Sequence, residues 1–217
     1  MTMKKIVYTL LSFFAALFSG IHANNIQIGS PSINIGAGTI SFTIQWDNSW
    51  LVSSGPTNWD GAWVFVKRQS CTDNLWVHGL VSTTSSDHSV SGGVLQVDAV
   101  TDGMGVFIRR AGPGTGNIAS SNVTLRLQVA PNAVDNFQVF GIEMVNVPQG
   151  DFYAGDGTRG TSGWGFSDAF SAPKLITSAI QTAGIGAAGV YQPSSYGSTG
   201  SLPAAFPLGW NKFYCMK

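Results

Sequence analysis

Apolar and polar residues alternate in several short stretches of the first two thirds of the chain. Every even-numbered position in residues 40–46 is apolar, and so is every odd-numbered position in residues 123–129. A period of two residues is typical of a strand with one buried face. Further strands are predicted at residues 62–67, 75–80, 94–97 and 105–110, separated by segments rich in Gly, Ser, Asn and Pro. This succession of short strands and turns predicts an antiparallel β-sandwich over residues 24–132.

A second region follows residues 130–135, which we expect to join two domains. Residues 139–147 predict a strand. Its two sides would carry Val139, Gly141, Glu143, Val145 and Val147 on one, and Phe140, Ile142, Met144 and Asn146 on the other. Pro148 and Gly150 come directly after it, and both residue types favour a chain reversal. We therefore predict a second domain over residues 137–217, which begins with a strand and a tight turn.

The rest of this second domain is dominated by Gly, Ser, Thr and Ala beyond Gly157. Residues 184–200 are expected to form a loop, because such small side chains bury little apolar surface. Residues 173–183 are compatible with either a short helix or a strand. Residues 213–216 predict a final strand.

The composition agrees with a protein made mainly of strands. Charged residues make up 10% of the chain, there are 27 glycines, and Glu143 is the single glutamate. This composition is poor for helices and suits short strands joined by turns. The formal net charge is zero and no basic patch stands out, so nucleic acid is not an expected partner.

The first residues predict an export signal over residues 1–23. Lys4 and Lys5 precede an apolar core at residues 6–18, and Ala23 offers a small residue for cleavage. The apolar run of about a dozen residues is shorter than the roughly 20 needed to cross a bilayer. We therefore expect a secreted or cell-surface protein with no membrane span after the signal is removed.

Cysteine and histidine are too scarce to predict a catalytic or metal site. Cys71 and Cys215 are far apart in the sequence, and we expect both to be free or buried and not to form a disulfide framework. Of the histidines, only His78 and His88 remain after the predicted signal, and no metal-ligand spacing includes them. We predict no catalytic residue, no metal and no cofactor.

Tryptophans are concentrated in the first predicted domain. Trp46 and Trp63 lie in predicted strands, where we expect them to be buried. Trp50 and Trp59 lie in the segment between two predicted strands, and exposed aromatic rings there could stack on the apolar faces of sugars. Trp50 and Trp59 are therefore candidate carbohydrate-binding residues, although core or loop packing is the favoured interpretation of the group as a whole.

Two stretches of the second predicted domain resemble one known family. Residues 144–155 read Met-Val-Asn-Val-Pro-Gln-Gly-Asp-Phe-Tyr-Ala-Gly, which resembles the opening of the formylglycine-generating-enzyme-like (sulfatase-modifying-factor) domain, usually M-x-x-V-P-x-G-x-F-x-M-G. Ala154 stands where the family usually has Met. Residues 206–217, Phe-Pro-Leu-Gly-Trp-Asn-Lys-Phe-Tyr-Cys-Met-Lys, resemble the next core strand of that domain. The resemblance covers residues 140–217.

The resemblance implies a mixed, strand-rich fold like that of C-type lectins, of which this chain would hold an incomplete, loop-rich start. Enzymatic members of the family oxidise a sulfatase cysteine to formylglycine with a copper-binding cysteine pair, and neither Cys71 nor Cys215 matches that pair. We therefore expect a non-catalytic fragment of a secreted or surface-associated bacterial protein, a structural or interaction module. One alternative is a fragment of a sulfatase-modifying enzyme, and a second is a carbohydrate-binding module. Expected partners are cell-surface proteins or glycans.

Overall fold

The computed structural model describes residues 24–154, 173–177, 181–183, 189–190, 200–202 and 210–217. The predicted export signal and most of the predicted loop at residues 184–200 lie outside the described residues. The described part is mainly β, as the sequence predicts. Its one helical element is a short 3-10 helix, Ser85–Asp87. Within these ranges, no helix is long and apolar enough to cross a membrane.

The strands are numbered in chain order. They are β1 (Gln27–Ile28), β2 (Ser32–Asn34), β3 (Thr39–Leu51), β4 (Trp59–Gln69), β5 (Trp76–Gly79), β6 (Ser89–Val90), β7 (Leu95–Ala99), β8 (Val106–Arg110), β9 (Gly114–Arg126), β10 (Asn136–Val147), β11 (Phe152–Ala154), β12 (Lys174–Ile176), β13 (Gln181–Ala183), β14 (Gly189–Val190), β15 (Gly200–Leu202) and β16 (Phe213–Met216).

The chain divides into two compact units. The first unit contains the residues up to Trp50, Ala62–Glu143 and Lys217, and the second contains Leu51–Gly61 and Met144–Met216. The division falls inside β10, between Glu143 and Met144, whereas the sequence predicted domains of 24–132 and 137–217. The long strand β10 continues across this division, and the pattern of residue types does not reveal where along it one compact unit ends.

The first unit is built on a nearly closed antiparallel sheet. Its strands follow the order β10-β4-β3-β9-β6, with β1 and β2 on β3, β5 and β8 on β4, and β7 on β8. A bridge between Val81 and Leu127 adds a link from the segment after β5 to the segment after β9. The long strands β3, β4 and β9 therefore organise the unit, and shorter strands pair along their edges.

The core of the first unit consists of side chains at alternate positions of these strands. The buried cluster contains Ile40, Phe42, Ile44, Trp46, Ala62, Val64, Val66, Val81, Leu95, Val97, Val106, Ile108, Ile118, Val123, Leu125 and Leu127. The prediction that the even positions of residues 40–46 face inward is confirmed, and Trp46 is buried as expected. Trp63 is only half-buried, so its predicted burial is wrong: it alternates with Val64, and Val64 takes the inward position.

The second unit contains smaller sheets. The end of β3 meets the start of β4 at Leu51 and Trp59, and the last residues of β10 pair with β16. β11 pairs with β12, and β13 pairs with β14 in parallel and with β15 in antiparallel orientation. The sequence of residues 173–183 is compatible with either a short helix or a strand. In the structure this segment contains two strands, β12 and β13. The final strand predicted at residues 213–216 is confirmed as β16.

Candidate functional site

The candidate site is built on the pairing of β10 with β16 in the second unit. Val147 lies opposite Phe213, and Val145 lies opposite Cys215. Because successive side chains of a strand point to opposite faces, these four residues share one face of the pair. Val145, Val147 and Phe213 all line one cavity. Strand pairing thus brings together apolar residues from two distant segments of the chain.

The turn after β10 is fastened to the residues before β16. The backbone N–H of Gly150 donates a hydrogen bond to the carbonyl oxygen of Trp210 at 3.0 Å. The indole Nε1 of Trp210 donates to Asp151 Oδ1 at 2.8 Å. These two bonds fix the turn at the mouth of the cavity, because each connects the turn to the same residue.

The cavity has a volume of about 570 Å³. Its lining residues are Pro56, Asn58, Val145, Val147, Pro148, Gln149, Gly150, Asp151, Phe152 and Phe213. Phe152 is 37% exposed and Phe213 45% exposed. A volume of this size is in the range of small-molecule and side-chain pockets, about 300–1,000 Å³. The site is therefore an open apolar cavity with a few polar groups.

The opposite face of the same strand pair is covered around Tyr214. Asn146 is buried and lies opposite Tyr214. The ring of Trp59 packs against that of Tyr214, with centroids 5.7 Å apart and planes tilted by 58°. The ammonium of Lys212 lies 5.0 Å from the centre of the Tyr214 ring. On this face, packing contacts with Trp59 and Lys212 hold the ring of Tyr214.

Trp59, one of the two candidate carbohydrate-binding residues, is 8% exposed and begins β4. Its expected position in an exposed loop is therefore wrong, because the strand starts at Trp59 and Tyr214 packs on its ring. A sugar needs an open aromatic face for stacking. The described environment of Trp59 leaves little of such a face.

Trp50, the other candidate, lies in β3 and is half-buried, so its expected loop position is also wrong. The ammonium of Lys217 is 4.2 Å from the centre of its ring. A cation at this distance is held by the negative face of the indole. Trp50 belongs to the first unit and Trp59 to the second. Carbohydrate binding by Trp50 and Trp59 stays a prediction.

The first unit carries a set of aromatic rings that the sequence interpretation missed. On the outward face of β4, Phe65 stacks on Phe140 at 5.3 Å and on His78 at 5.8 Å. Next to them Trp63 packs against Phe107, with centroids 4.9 Å apart. We call these five residues the outer aromatic face. The signal for it was present: Trp63 and Phe65 alternate with Val64 and Val66, so a sheet buried on the valine side must expose the aromatic side.

Polar side chains lie on the same outward face. Arg109 Nε donates to Asp98 Oδ2 at 2.6 Å, and Gln96 Nε2 donates to Asp98 Oδ1 at 2.7 Å. Arg109 follows Phe107 by two residues on β8, so both side chains point the same way. The outer aromatic face is therefore bordered by groups that can hydrogen-bond a ligand.

His88 is the one group whose pKa departs clearly from its ordinary value among the described residues. Its Nδ1 accepts a hydrogen bond from the backbone N–H of Arg126 at 3.2 Å, and its Nε2 donates to the carbonyl oxygen of Ser82 at 2.9 Å. Burial lowers the pKa of His88, and the hydrogen bond to Ser82 and the charge of Asp87 oppose this only in part. A neutral imidazole with both nitrogens engaged is a structural element of the fold.

Both cysteines are free, as expected, and both are exposed. Cys71 follows β4 in the first unit, and Cys215 lies in β16 of the second. Among the described residues, no group of three or more His, Cys, Asp or Glu side chains is arranged to hold a metal ion.

Comparison with known proteins gives no relative. No family model matches the chain, and no curated protein or solved structure is significantly similar to it. Inferences about function must therefore come from the residues and their arrangement.

Proposed function

We propose that the chain is a non-catalytic interaction module of a secreted or cell-surface bacterial protein. The observation that carries the proposal is the exposed apolar surface of the second unit. Phe213 is 45% exposed and Phe152 37% exposed, and both rings line the cavity of that unit. Contiguous apolar surface on a folded protein marks a place where a partner binds. An interaction role needs such a surface and needs no reactive group.

The sequence pattern of an export signal supports the same proposal. The apolar segment at residues 6–18 follows two lysines, which is the pattern of a cleaved signal. An exported module would meet cell-surface proteins or glycans, and its exposed apolar residues would then contact a partner outside the cell. Secretion is part of the proposal, and the same experiment tests both.

The arrangement of the second unit supports its likeness to the formylglycine-generating-enzyme-like domain. Residues 144–155 and 206–217, which carry the resemblance, include the paired segments of β10 and β16. Two stretches that are adjacent core strands in that family thus pair in this chain. On this basis we propose that the second unit is an incomplete form of that domain, with its C-type-lectin-like topology.

We also propose a sandwich for the first unit. One group of its strands is β1, β2, β3, β9 and β6, and the other is β10, β4, β5, β8 and β7. Buried residues come from both groups, such as Ile44 and Leu125 from the first and Val64 and Ile108 from the second. Two sheets that contribute inward side chains to one core are the defining arrangement of a sandwich.

The experiment is site-specific photo-crosslinking in the organism that encodes the chain. Benzoylphenylalanine at position 213 should give a crosslinked adduct in the exported fraction. The matched control carries it at position 134, where Val134 is 65% exposed in the first unit, and should give none. The absence of any adduct from position 213, or retention of the chain in the cytoplasm, would overturn the proposal.

A second candidate is glycan binding by the outer aromatic face. Phe140 is 41% exposed, and it lies in line with Phe65 and His78. Arg109 and Asp98 lie on the same outward side and could hydrogen-bond sugar hydroxyls. Aromatic rings beside hydrogen-bonding side chains suit an amphipathic ligand such as a sugar.

A fragment of a sulfatase-modifying enzyme remains the other alternative. That activity would need the paired cysteines of the family. Cys71 and Cys215 lie in different units, and neither occupies a segment that resembles the copper-binding part of the domain. An assay of the purified chain for formylglycine formation separates this alternative from the interaction module.

A further inference from the structure

A lysine lies at one end of the outer aromatic face in the first unit. Lys67 follows Phe65 by two residues on β4, so both side chains point to the outward side of the sheet. In the pairing of β4 with β5, Lys67 lies directly opposite His78, whose ring stacks on Phe65. Side chains that lie opposite each other on neighbouring strands are within contact distance. The row of rings is therefore continued by a cation.

Two side-chain contacts give the register of β10 against β4. Asn136 Nδ2 donates to Gln69 Oε1 at 3.1 Å, and the ring of Phe140 stacks on that of Phe65. The partner on β4 moves back along the chain as the partner on β10 moves forward, as an antiparallel pair requires. The residues midway between the two contacts therefore lie opposite each other.

These two residues are Lys67 and Gln138, so an amide lies beside the lysine. Gln138 is exposed and Lys67 is half-buried. Among the described residues, Lys67 forms no ion pair. Asp98, which lies on the same outward side, is engaged by Arg109. The charge of Lys67 can therefore be matched by an anionic group of a ligand.

The charge decides between the possible occupants of this face. A second copy docked through a two-fold axis would bring its own Lys67 into the same interface, and burying unpaired ammonium groups is unfavourable. A neutral glycan would cover the rings and leave Lys67 without a counter-charge. A sugar acid supplies both an apolar ring face for Phe140 and a carboxylate for the lysine.

We propose that the outer aromatic face binds an acidic glycan whose sugar units carry carboxylates. One sugar ring packs on Phe140, which is 41% exposed and is held in place by Phe65. A carboxylate of the glycan pairs with the ammonium of Lys67 and accepts a hydrogen bond from the amide of Gln138. This inference rests on the proposed glycan binding by the outer aromatic face and names the class of glycan.

The test uses the purified chain and oligosaccharides of galacturonate, glucuronate and mannuronate. Each is compared with its carboxyl-reduced form, in which a neutral hydroxymethyl group replaces the carboxylate. Titration calorimetry should show that a uronate oligosaccharide binds about fivefold more tightly than its reduced form, the upper ratio for one partly exposed charge pair. Sodium chloride at about 1 M should bring this ratio close to unity, because salt screens the pair.

Three variants assign the contributions. Lys67→Met keeps an apolar side chain of similar length and removes the charge, so it should bind the acidic and reduced forms equally. Lys174→Met is the matched control, because it removes the charge of another half-buried lysine, in the second unit, and should keep the preference. Phe140→Ala should lose binding of both forms. Circular dichroism checks that each variant is folded.

Equal affinity of the unmodified chain for the two forms would overturn the inference and leave glycan stacking on the rings intact. A preference that persists in Lys67→Met would also overturn it. Binding of none of the oligosaccharides would overturn both the inference and the glycan-binding candidate. Sedimentation that shows a dimer of the free chain, lost in Phe140→Ala, would mean that a second copy covers the face. Crosslinking from position 213 is independent of these results, because it probes the second unit.

Discussion

Arg68 and Asp135 form an ion pair in which both Nε and Nη2 of the guanidinium approach Asp135 Oδ2, at 2.7 and 2.6 Å. The side chain of Asp135 is 1% exposed and that of Arg68 is 22% exposed. The backbone N–H of Asn132 donates to the same Oδ2. Residues 130–135, which the sequence marked as a junction between domains, are thus held to the end of β4.

We predict that Asp135→Ala lowers the free energy of unfolding by about 3 kcal/mol, because it removes one partner of a buried pair and leaves Arg68 only partly solvated. Asp98→Ala is the matched control. It breaks the pair with Arg109, in which the carboxylate side chain is 36% exposed, and should cost less than about 1 kcal/mol. Urea denaturation of the three proteins gives the comparison. Equal losses in the two variants would contradict the structural role of Asp135.

The Arg68–Asp135 pair is an example of a contact between distant residues, which the sequence pattern could not predict. The strands themselves follow from local alternation, as in residues 40–46, where every apolar position is buried. The pair joins residues separated by 67 positions, and no local pattern encodes that contact. The cavity was missed for the same reason, because Phe213 comes to lie beside Val147 only through strand pairing.

The aromatic residues of β4 show a second feature that the sequence pattern could not predict. Trp63 and Phe65 alternate with Val64 and Val66, and both sets are apolar. Alternation then establishes that the two sets face opposite sides and leaves open which side is the core. In the structure Val64 and Val66 lie in the buried core, and the larger rings lie outward, where they contact one another.

A second prediction concerns pH. The folded-state pKa of His88 lies below its ordinary value of 6.5 because of burial. As the pH falls below about 6.5, the unfolded chain takes up a proton that the folded chain does not, so stability falls until the pH reaches the folded-state pKa. Above about pH 6.5 this contribution to stability is fully present. Protonation of Nδ1 would also remove the acceptor for the N–H of Arg126.

The melting temperature of the chain between pH 7.5 and pH 5 checks this prediction. The unmodified chain should lose more stability over this interval than His88→Gln, which has no titrating group but keeps an amide that can donate to the carbonyl oxygen of Ser82. Parallel curves for the two proteins would show that another group controls the acid sensitivity.

A third prediction separates the two sets of aromatic residues as glycan-binding candidates. Trp59→Ala should destabilise the chain by about 3–5 kcal/mol, the usual cost of removing a buried aromatic side chain. Phe140→Ala should cost much less, because Phe140 is 41% exposed. If the outer aromatic face binds glycans, Phe140→Ala should lose that binding on a glycan array while remaining folded.

The matched control for Phe140→Ala is Ile142→Ala, which changes a similarly exposed apolar residue on the same side of β10 but removes no aromatic ring. It should keep glycan binding. Loss of binding in both variants would indicate a general apolar contact in place of ring stacking, and no binding by the unmodified chain to any glycan would leave the aromatic rings with a packing role.

The last prediction is that the chain does not convert a sulfatase cysteine to formylglycine. The reaction oxidises a peptide thiol, and the family that we propose for the second unit performs it with two closely spaced cysteines that bind copper. Soft thiolates are the ligands that select Cu(I). Cys71 and Cys215 are both exposed and belong to separate units. Cys215 lies opposite Val145 in a strand pair, where its described neighbours are apolar. Catalysis also needs the substrate cysteine held in a fixed orientation, which a lone exposed thiol does not provide.

The purified chain should therefore yield no formylglycine, measured by mass spectrometry, when it is mixed with copper, oxygen and a cysteine-containing sulfatase peptide. Turnover that disappears in Cys215→Ser and persists in Cys71→Ser would prove this prediction wrong and would identify Cys215 as a reactive thiol of the second unit.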